Sequence, residues 1–215
     1  DSDGKDLPLI LNPHGGPFGV QDVWRFNPET QFFANQGYAV MQVNFRGSGG
    51  YGKRYERIGY KRWGLEMQDD LTDAVQWAVS EGIVDPDHVC IYGASYGGYA
   101  TMAGITLTPE LYSCAVNYVG IWDLEMLYRQ DGRWDSRLGR WFRDHVVDVE
   151  KDEAQIKKTS PSNHIDKIQA PLFIDNGRRD YNGLVIILPS KNHLLGCPAI
   201  YPRQFSFQNL SSSFV

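Results

Sequence analysis

Ser95 stands in the string Val89-Cys90-Ile91-Tyr92-Gly93-Ala94-Ser95-Tyr96-Gly97-Gly98, between an apolar run that reads as a strand and a helical pattern that follows it. A G-x-S-x-G sequence set between strand and helix is the signature of a nucleophile elbow. The chemistry asks for glycines at 93 and 97. The serine must hold a strained backbone conformation that lifts its hydroxyl off the sheet edge, and side chains on its neighbours would collide there. The free N–H groups at the start of the next helix suit a developing oxyanion. The bland alternative is an ordinary glycine-rich turn; the order strand, turn, helix favours the elbow.

A serine nucleophile needs a base, and the base needs an orienting carboxylate. Around such an elbow the chain order is serine, then acid, then histidine. Two aspartates follow the apolar run Pro171-Leu172-Phe173-Ile174. Asp180 lies in the loop beyond Gly177, from which a side chain can turn back toward Ser95, and is the preferred acid. Asp175, at the very end of the strand, is the weaker candidate. A solvated loop carboxylate is the alternative for either. His14, His88, His145 and His164 precede the acid, and His193 alone follows it. A parallel crossover takes a dozen residues or more before the last strand is counted. His193 is only thirteen residues past Asp180, and nothing between them reads as a helix. Fully extended, those residues reach about 43 Å, so distance is no obstacle but placement is. His193 is read as a surface histidine, without the role of base.

His14-Gly15-Gly16-Pro17 comes just after the first strand. A glycine-rich loop at that place gives an elbow its second oxyanion donor, here the N–H of Gly15; the first is the N–H of Tyr96. A plain turn is the alternative. Asn44-Phe45-Arg46-Gly47-Ser48-Gly49-Gly50-Tyr51-Gly52 shares only glycine content with a phosphate loop. It lacks Gly-Lys-Ser/Thr and does not run into a helix, so nucleotide binding is rejected. Asp144, Asp148, Glu150, Asp152 and Glu153 read as a solvated acidic face rather than a metal site. No metal or cofactor is expected.

The elements that must position these residues alternate. Leu7–Leu11 reads as a short buried strand, and residues 28–36 as a helix with Pro28 in its first turn and Phe32 and Phe33 on its apolar face. Tyr38–Phe45 is a strand. Residues 66–80 form an amphipathic helix, with Met67, Leu71, Ala74, Val75 and Ala78 on one side. Strands at 114–119 and 170–175 bracket helical segments at 123–145 and 150–168. Alternating strands and helices predict a parallel sheet covered on both faces.

At 215 residues and 42% hydrophobic content the chain can bury a sizeable core. A net charge of −5 gives no reason to expect nucleic acid or an anionic membrane as partner. No apolar stretch is long enough to span a bilayer, and no signal peptide opens the chain. Cys90, Cys114 and Cys197 are odd in number and widely spaced, so buried free thiols are expected rather than a disulfide framework. From Tyr181 to Val215 the only charges are Lys191 and Arg203, against about eight expected from the chain average of 22%. Residues 1–180 are therefore expected to form one domain and 181–215 a divergent low-charge tail.

Together the motifs resemble the catalytic α/β-hydrolase domain of the prolyl oligopeptidase family of serine peptidases. The resemblance rests on Pro13-His14-Gly15-Gly16-Pro17, on the 44–52 run, on Gln68-Asp69-Asp70 with Trp77 in the same helix, and on Gly93-Ala94-Ser95-Tyr96-Gly97-Gly98-Tyr99. Ser160-Pro161 and Ala170-Pro171 also fall where the family puts them, and the match runs from about residue 7 to about residue 180. It implies an α/β-hydrolase fold and hydrolysis of short peptides through an acyl-enzyme. Ser95 is then the nucleophile, Asp180 the acid, and Tyr96 and Gly15 the oxyanion donors. It further implies a β-propeller domain ahead of the hydrolase, which these residues do not contain. Members continue past the acid with a helix, a strand and a His-Gly loop; here the tail cannot be aligned, as a shifted or truncated reading frame would give. The expectation is that the C-terminal strand and helix are missing or replaced, and with them the catalytic histidine, leaving this chain inactive. A carboxylesterase or lipase-like hydrolase on the same scaffold, and a non-catalytic fragment, are the alternatives.

Overall fold

A computed structural model of the chain describes residues 4–129 and 136–176. Five parallel strands form one sheet: β1 (Leu7–Leu11), β2 (Ala39–Met41), β3 (Val84–Ala94), β4 (Cys114–Tyr118) and β5 (Leu172–Asp175), in the order β2-β1-β3-β4-β5. Between them lie α1 (Pro28–Asn35), α2 (Lys53–Ile58), α3 (Glu66–Ser80), α4 (Tyr96–Leu107), α5 (Leu124–Arg129), α6 (Arg137–His145) and α7 (Glu153–Thr159). This is the expected α/β architecture. The strand foreseen over 38–45 keeps its pairing only at Ala39–Met41, because the chain then leaves the sheet edge for the glycine-rich loop.

The strands obey the period-two rule. Leu9, Leu11, Val89, Ile91 and Ala115 face one side, into a core built with Met67, Leu71 and Val75 of α3 and Met102 and Ala103 of α4. Ile10, Cys90 and Cys114 face the other, where Phe33, Tyr38 and Tyr92 cover them. Alpha-helical α1 begins as the sequence suggests. Pro28 stands in the first turn, and the Asn27 side chain accepts from the N–H groups of Glu29 and Thr30 at 2.9 and 3.2 Å. Of its two phenylalanines only Phe33 reaches the sheet, packing edge-on against Tyr92; Phe32 stays 58% exposed.

Helix α4 is buried all round from Tyr96 to Thr106, the pattern of a core helix rather than an amphipathic one. Its buried threonine hydroxyls are satisfied within the helix: Thr101 donates to the Gly97 carbonyl at 2.9 Å and Thr106 to the Met102 carbonyl at 2.7 Å. Each large apolar side chain it buries stabilises by about 1.5–3 kcal/mol, so the elbow at its N-terminus is anchored in the core.

Two expectations are corrected. Cys90 and Cys114 are not free thiols: they are direct partners in the β3–β4 ladder and are joined as a disulfide. Paired strands bring facing side chains close, a proximity that sequence spacing does not reveal. Nor is the acidic run uniformly solvated. Asp148 is buried, and Asp152 pairs with Lys61 at 2.9 Å while accepting from the Asp148 N–H at 3.0 Å. These carboxylates tie α6 and α7 to the α2–α3 connection; no group able to hold a metal ion occurs among the described residues. No described helix is long and apolar enough to cross a membrane.

Candidate active site

Ser95 sits at the junction of β3 and α4 with φ 56° and ψ −117°. A non-glycine residue at positive φ is held there only by its surroundings. They are visible: the Ser95 N–H donates to the Tyr118 carbonyl at 3.1 Å, extending the β3–β4 ladder, and the Ser95 carbonyl accepts from the Tyr99 N–H at 3.0 Å, opening α4. Backbone on both sides is fixed, and the side chain between is exposed.

The glycines around it are required for contact. A Cβ on Gly93 would strike the Gly97 carbonyl, and one on Gly97 would strike the Pro13 carbonyl. Gly97 therefore touches the very loop expected to supply an oxyanion donor. On Gly15 a Cβ would lie 3.3 Å from the Ala94 carbonyl oxygen and 3.6 Å from Ser95 Cβ. The structure thus brings Gly15, Ser95 and Tyr96 together.

Tyr96 is the first residue of α4, so its N–H is one of the helix's unpaired leading donors. Its ring is wholly buried against Phe45, Trp63 and Tyr99, at centroid distances of 5.4, 4.6 and 5.7 Å. Burial above all, then Tyr99 and Asp70, pushes the phenol far above the usual tyrosine range. The hydroxyl stays protonated at neutral pH, and what Tyr96 offers the surface is its backbone.

The four described histidines each bond a partner other than Ser95. His14 bonds through Nδ1 to the Gly15 carbonyl and through Nε2 to the Ser48 hydroxyl, at 2.8 and 2.9 Å. His88 pairs with Asp85, His145 bonds the Trp141 carbonyl, and His164 the Lys158 carbonyl. Asp175 ends β5 with its side chain exposed, and its carbonyl accepts from the Val119 N–H at 2.9 Å. Asp180 and His193 lie outside the described residues, as does the tail from 181 onward.

Two supports escaped the sequence reading. Asn117, buried within β4, donates to the Gly98 carbonyl at 2.8 Å and accepts from the Gly120 N–H at 3.2 Å, lashing α4 to the end of the strand. An asparagine at an inward position of an apolar strand was its only signal. Arg46 grips Asp70 of α3 through its backbone N–H and Nε, both at 2.8 Å, and through Nη2. The glycine-rich 44–52 run thereby becomes a rigid shelf beside the elbow. Asp22, nearby, has its carboxyl raised by burial, partly offset by attraction to His14.

A family model described as the prolyl oligopeptidase family matches residues 24–186. Dipeptidyl aminopeptidase BIII of Pseudoxanthomonas mexicana is 41% identical over 187 residues, covering 84% of this chain and 27% of that protein. Dipeptidyl peptidase family member 6 of Caenorhabditis elegans is 37% identical over 180 residues, covering 80% and 24%. The chain therefore spans about a quarter of the length of these curated relatives. Among solved structures, a Mycobacterium tuberculosis puromycin-hydrolyzing peptidase superposes with a TM-score of 0.72 at 29% identity, covering 80% of this chain and 26% of that one. An acylaminoacyl peptidase in complex with Z-Gly-Gly-Phe-chloromethyl ketone gives 0.70 at 28% identity, covering 81% and 28%. With its exposed, strained serine at the head of a buried helix and this agreement over most of its length, the chain belongs to the prolyl oligopeptidase family of serine peptidases.

Proposed function

We propose that this chain is the hydrolase domain of a serine peptidase that cleaves short peptides through an acyl-enzyme on Ser95. The observation that carries the proposal is the exposed Ser95 at φ 56°, with Gly15 packed against it and the Tyr96 N–H at the head of α4. In this reading the Ser95 hydroxyl attacks the scissile carbonyl, and the N–H groups of Tyr96 and Gly15 receive the negative charge that develops on its oxygen. Asp180 is the acid by its place in the sequence, residues 1–180 make up the hydrolase domain, and 181–215 are a divergent, low-charge stretch of sequence. The role of base is not assigned to any described histidine, each of which is bonded elsewhere.

In the complete protein a β-propeller is proposed to precede this domain. Two observations support a covering domain: the matched stretch is about a quarter of the relatives' own length, and the 20–26 loop exposes Val20, Val23, Trp24 and Phe26, apolar side chains that a neighbouring surface would cover.

A fluorophosphonate probe tests the nucleophile. Covalent labelling confined to Ser95 and abolished by Ser95→Ala is expected; labelling that survives the substitution would overturn the assignment. Aminoacyl amides compared with aryl esters separate a peptidase from a carboxylesterase, the peptidase reading requiring turnover of the amides. A non-catalytic domain is the second reading, favoured by the engagement of all the described histidines, and complete absence of labelling on folded protein would select it.

A further inference from the structure

Two helices of this chain begin with cations, against the field of their own backbones. Lys53 and Arg54 open α2 and Arg137 opens α6, where the helix dipole favours acids, and the first turn of α6 holds none. The bias runs on through both segments. Residues 53–62 carry five basic side chains and one carboxylate, and 137–145 carry three and one, in a chain whose net charge is −5. Neither local helix formation nor the overall charge accounts for cations at these places.

The fold brings the two segments together. The Lys61 N–H donates to the His145 carbonyl at 2.6 Å, and the Tyr60 ring meets the His145 ring edge-on at a centroid distance of 4.2 Å. On α2, Lys53, Arg54 and Arg57 share one face by their spacing, and on α6 Arg137 and Trp141 stand one turn apart. Part of the charge is neutralised internally: Lys61 pairs with Asp152 at 2.9 Å and Arg62 with Glu66 at 3.3 Å. Lys53, Arg54, Arg57 and Arg137 are exposed, and none of them forms an ion pair among the described residues. Apolar groups stand along the same two helices: Ile58, Leu138 and Trp141 are all exposed. Unpaired like charges repel one another, and an anionic partner relieves that repulsion.

This surface reaches the loop that faces Ser95. Phe18 packs edge-on against Tyr60 at 4.9 Å and against Trp141 at 6.0 Å. It stands three residues from Gly15, whose Cβ position is 3.6 Å from Ser95 Cβ. A peptide lying over Ser95 and past Phe18 has a path onto α2 and α6. A nucleic acid fits less well. Trp141 already stacks on His145, at 4.9 Å and 14°, which takes up one ring face that a base would need, and so few unpaired cations neutralise few phosphates.

We propose that the basic faces of α2 and α6 are a docking surface for acidic residues of the peptide substrate, away from the bond that is cut. The proposal rests on the proposed function and adds a substrate class to it, peptides that carry a run of Asp or Glu.

The test uses the full chain and a fluorescent peptide ending in a run of glutamates, with its glutamine counterpart and a single-stranded oligonucleotide as comparisons. Fluorescence anisotropy is expected to show the glutamate peptide bound about tenfold more tightly than the glutamine one, as a few exposed ion pairs give. Raising salt from about 50 to about 300 mM is expected to erase the difference. The variant Arg54→Glu/Arg57→Glu/Arg137→Glu should lose the preference while Ser95 labels with fluorophosphonate at the wild-type rate. Should that variant not fold, Arg57→Gln alone is expected to weaken glutamate-peptide binding about twofold. Equal affinity for the two peptides, or a preference that survives these substitutions, overturns the proposal, and an oligonucleotide bound as tightly as the glutamate peptide replaces it with a general polyanion surface. Saturating glutamate peptide is also expected to slow Ser95 labelling of wild type; binding that leaves labelling untouched refutes the link to substrate. If wild type does not label at all, the proposed function fails, and anisotropy still decides whether the surface takes acidic peptide.

Discussion

Gly98 of α4 and Gly120, just beyond β4, meet so closely that a Cβ on Gly98 would lie 2.5 Å from the Gly120 Cα and 3.2 Å from the Tyr118 carbonyl oxygen. That same Tyr118 carbonyl receives the Ser95 N–H, so this contact sets how near the elbow helix lies to the strand. Gly98→Ala is expected to destabilise by about 1–3 kcal/mol, the usual penalty for overpacking a rigid core. It outweighs the gain of up to about 1 kcal/mol in helix propensity, because both obstructing groups are backbone and cannot rotate away. Urea unfolding measures it, and an unchanged midpoint would mean that α4 can shift.

Arg46 holds Asp70 through three bonds, two from the guanidinium and one from the backbone. The guanidinium is raised above its ordinary value, first by the hydrogen bond to Asp70. Side-chain exposures of 31% and 22% keep the pair from full desolvation, so Asp70→Ala is expected to cost about 2 kcal/mol, in the range of hydrogen bonds to charged groups. Because the 45–48 shelf hangs from Asp70, the substitution is also expected to slow Ser95 labelling. Chemical denaturation and probe kinetics on one sample check both.

The sheet was legible in the sequence because its parallel strands are short apolar runs separated by amphipathic helices, and Glu66–Ser80 was bounded as the structure has it. The elbow was legible because a serine forced to φ 56° needs small neighbours, which leave a spacing that can be read. Other features left no such trace. Asn117 is one polar residue in an apolar strand, and only the packed helix shows that Gly98 and Gly120 are its partners. Asp148 and Asp152 looked like surface charges because Lys61, which Asp152 pairs with, is 91 residues away. The Cys90–Cys114 pairing follows from strand register, which composition does not encode. Pairwise geometry between distant segments is what the sequence withheld.

Two carboxylates are expected to give opposite pH responses. At Asp152, burial raises the carboxyl, but bonds from the Asp148 N–H and Lys61 outweigh it and the net shift is downward from 3.8. A lowered folded value means that its contribution is present above the ordinary value and lost as pH falls through the folded one. Asp152→Asn should therefore cost about 1 kcal/mol near pH 7, with the gap to wild type closing below about pH 4. At Asp22 burial wins over the attraction of His14, and the net shift is upward. Its contribution is present below the ordinary value and lost as pH rises through the folded one. Asp22→Asn should gain on wild type as pH rises. Melting temperatures of the two variants across pH 3–8 would then diverge in opposite senses, and parallel curves would refute the assignment.

Tyr99 supplies a test remote from the elbow surface. Its ring is fully buried in α4, and its hydroxyl donates to the Thr159 carbonyl at 2.7 Å, joining the helix to the end of α7. Burial pushes the phenol upward, so the group stays a neutral donor across the working pH range. Tyr99→Phe keeps the ring contacts with Trp63 and Tyr96 and removes only the donor. The carbonyl of Thr159 is then left buried without that donor, at an expected cost of about 1–3 kcal/mol. Because Phe holds the packing, the loss should be one of stability alone, with the Ser95 labelling rate unchanged. A variant that melts like wild type would show that water or another donor replaces the tyrosine. One that melts earlier and also labels slowly would show that α7 helps to hold the elbow.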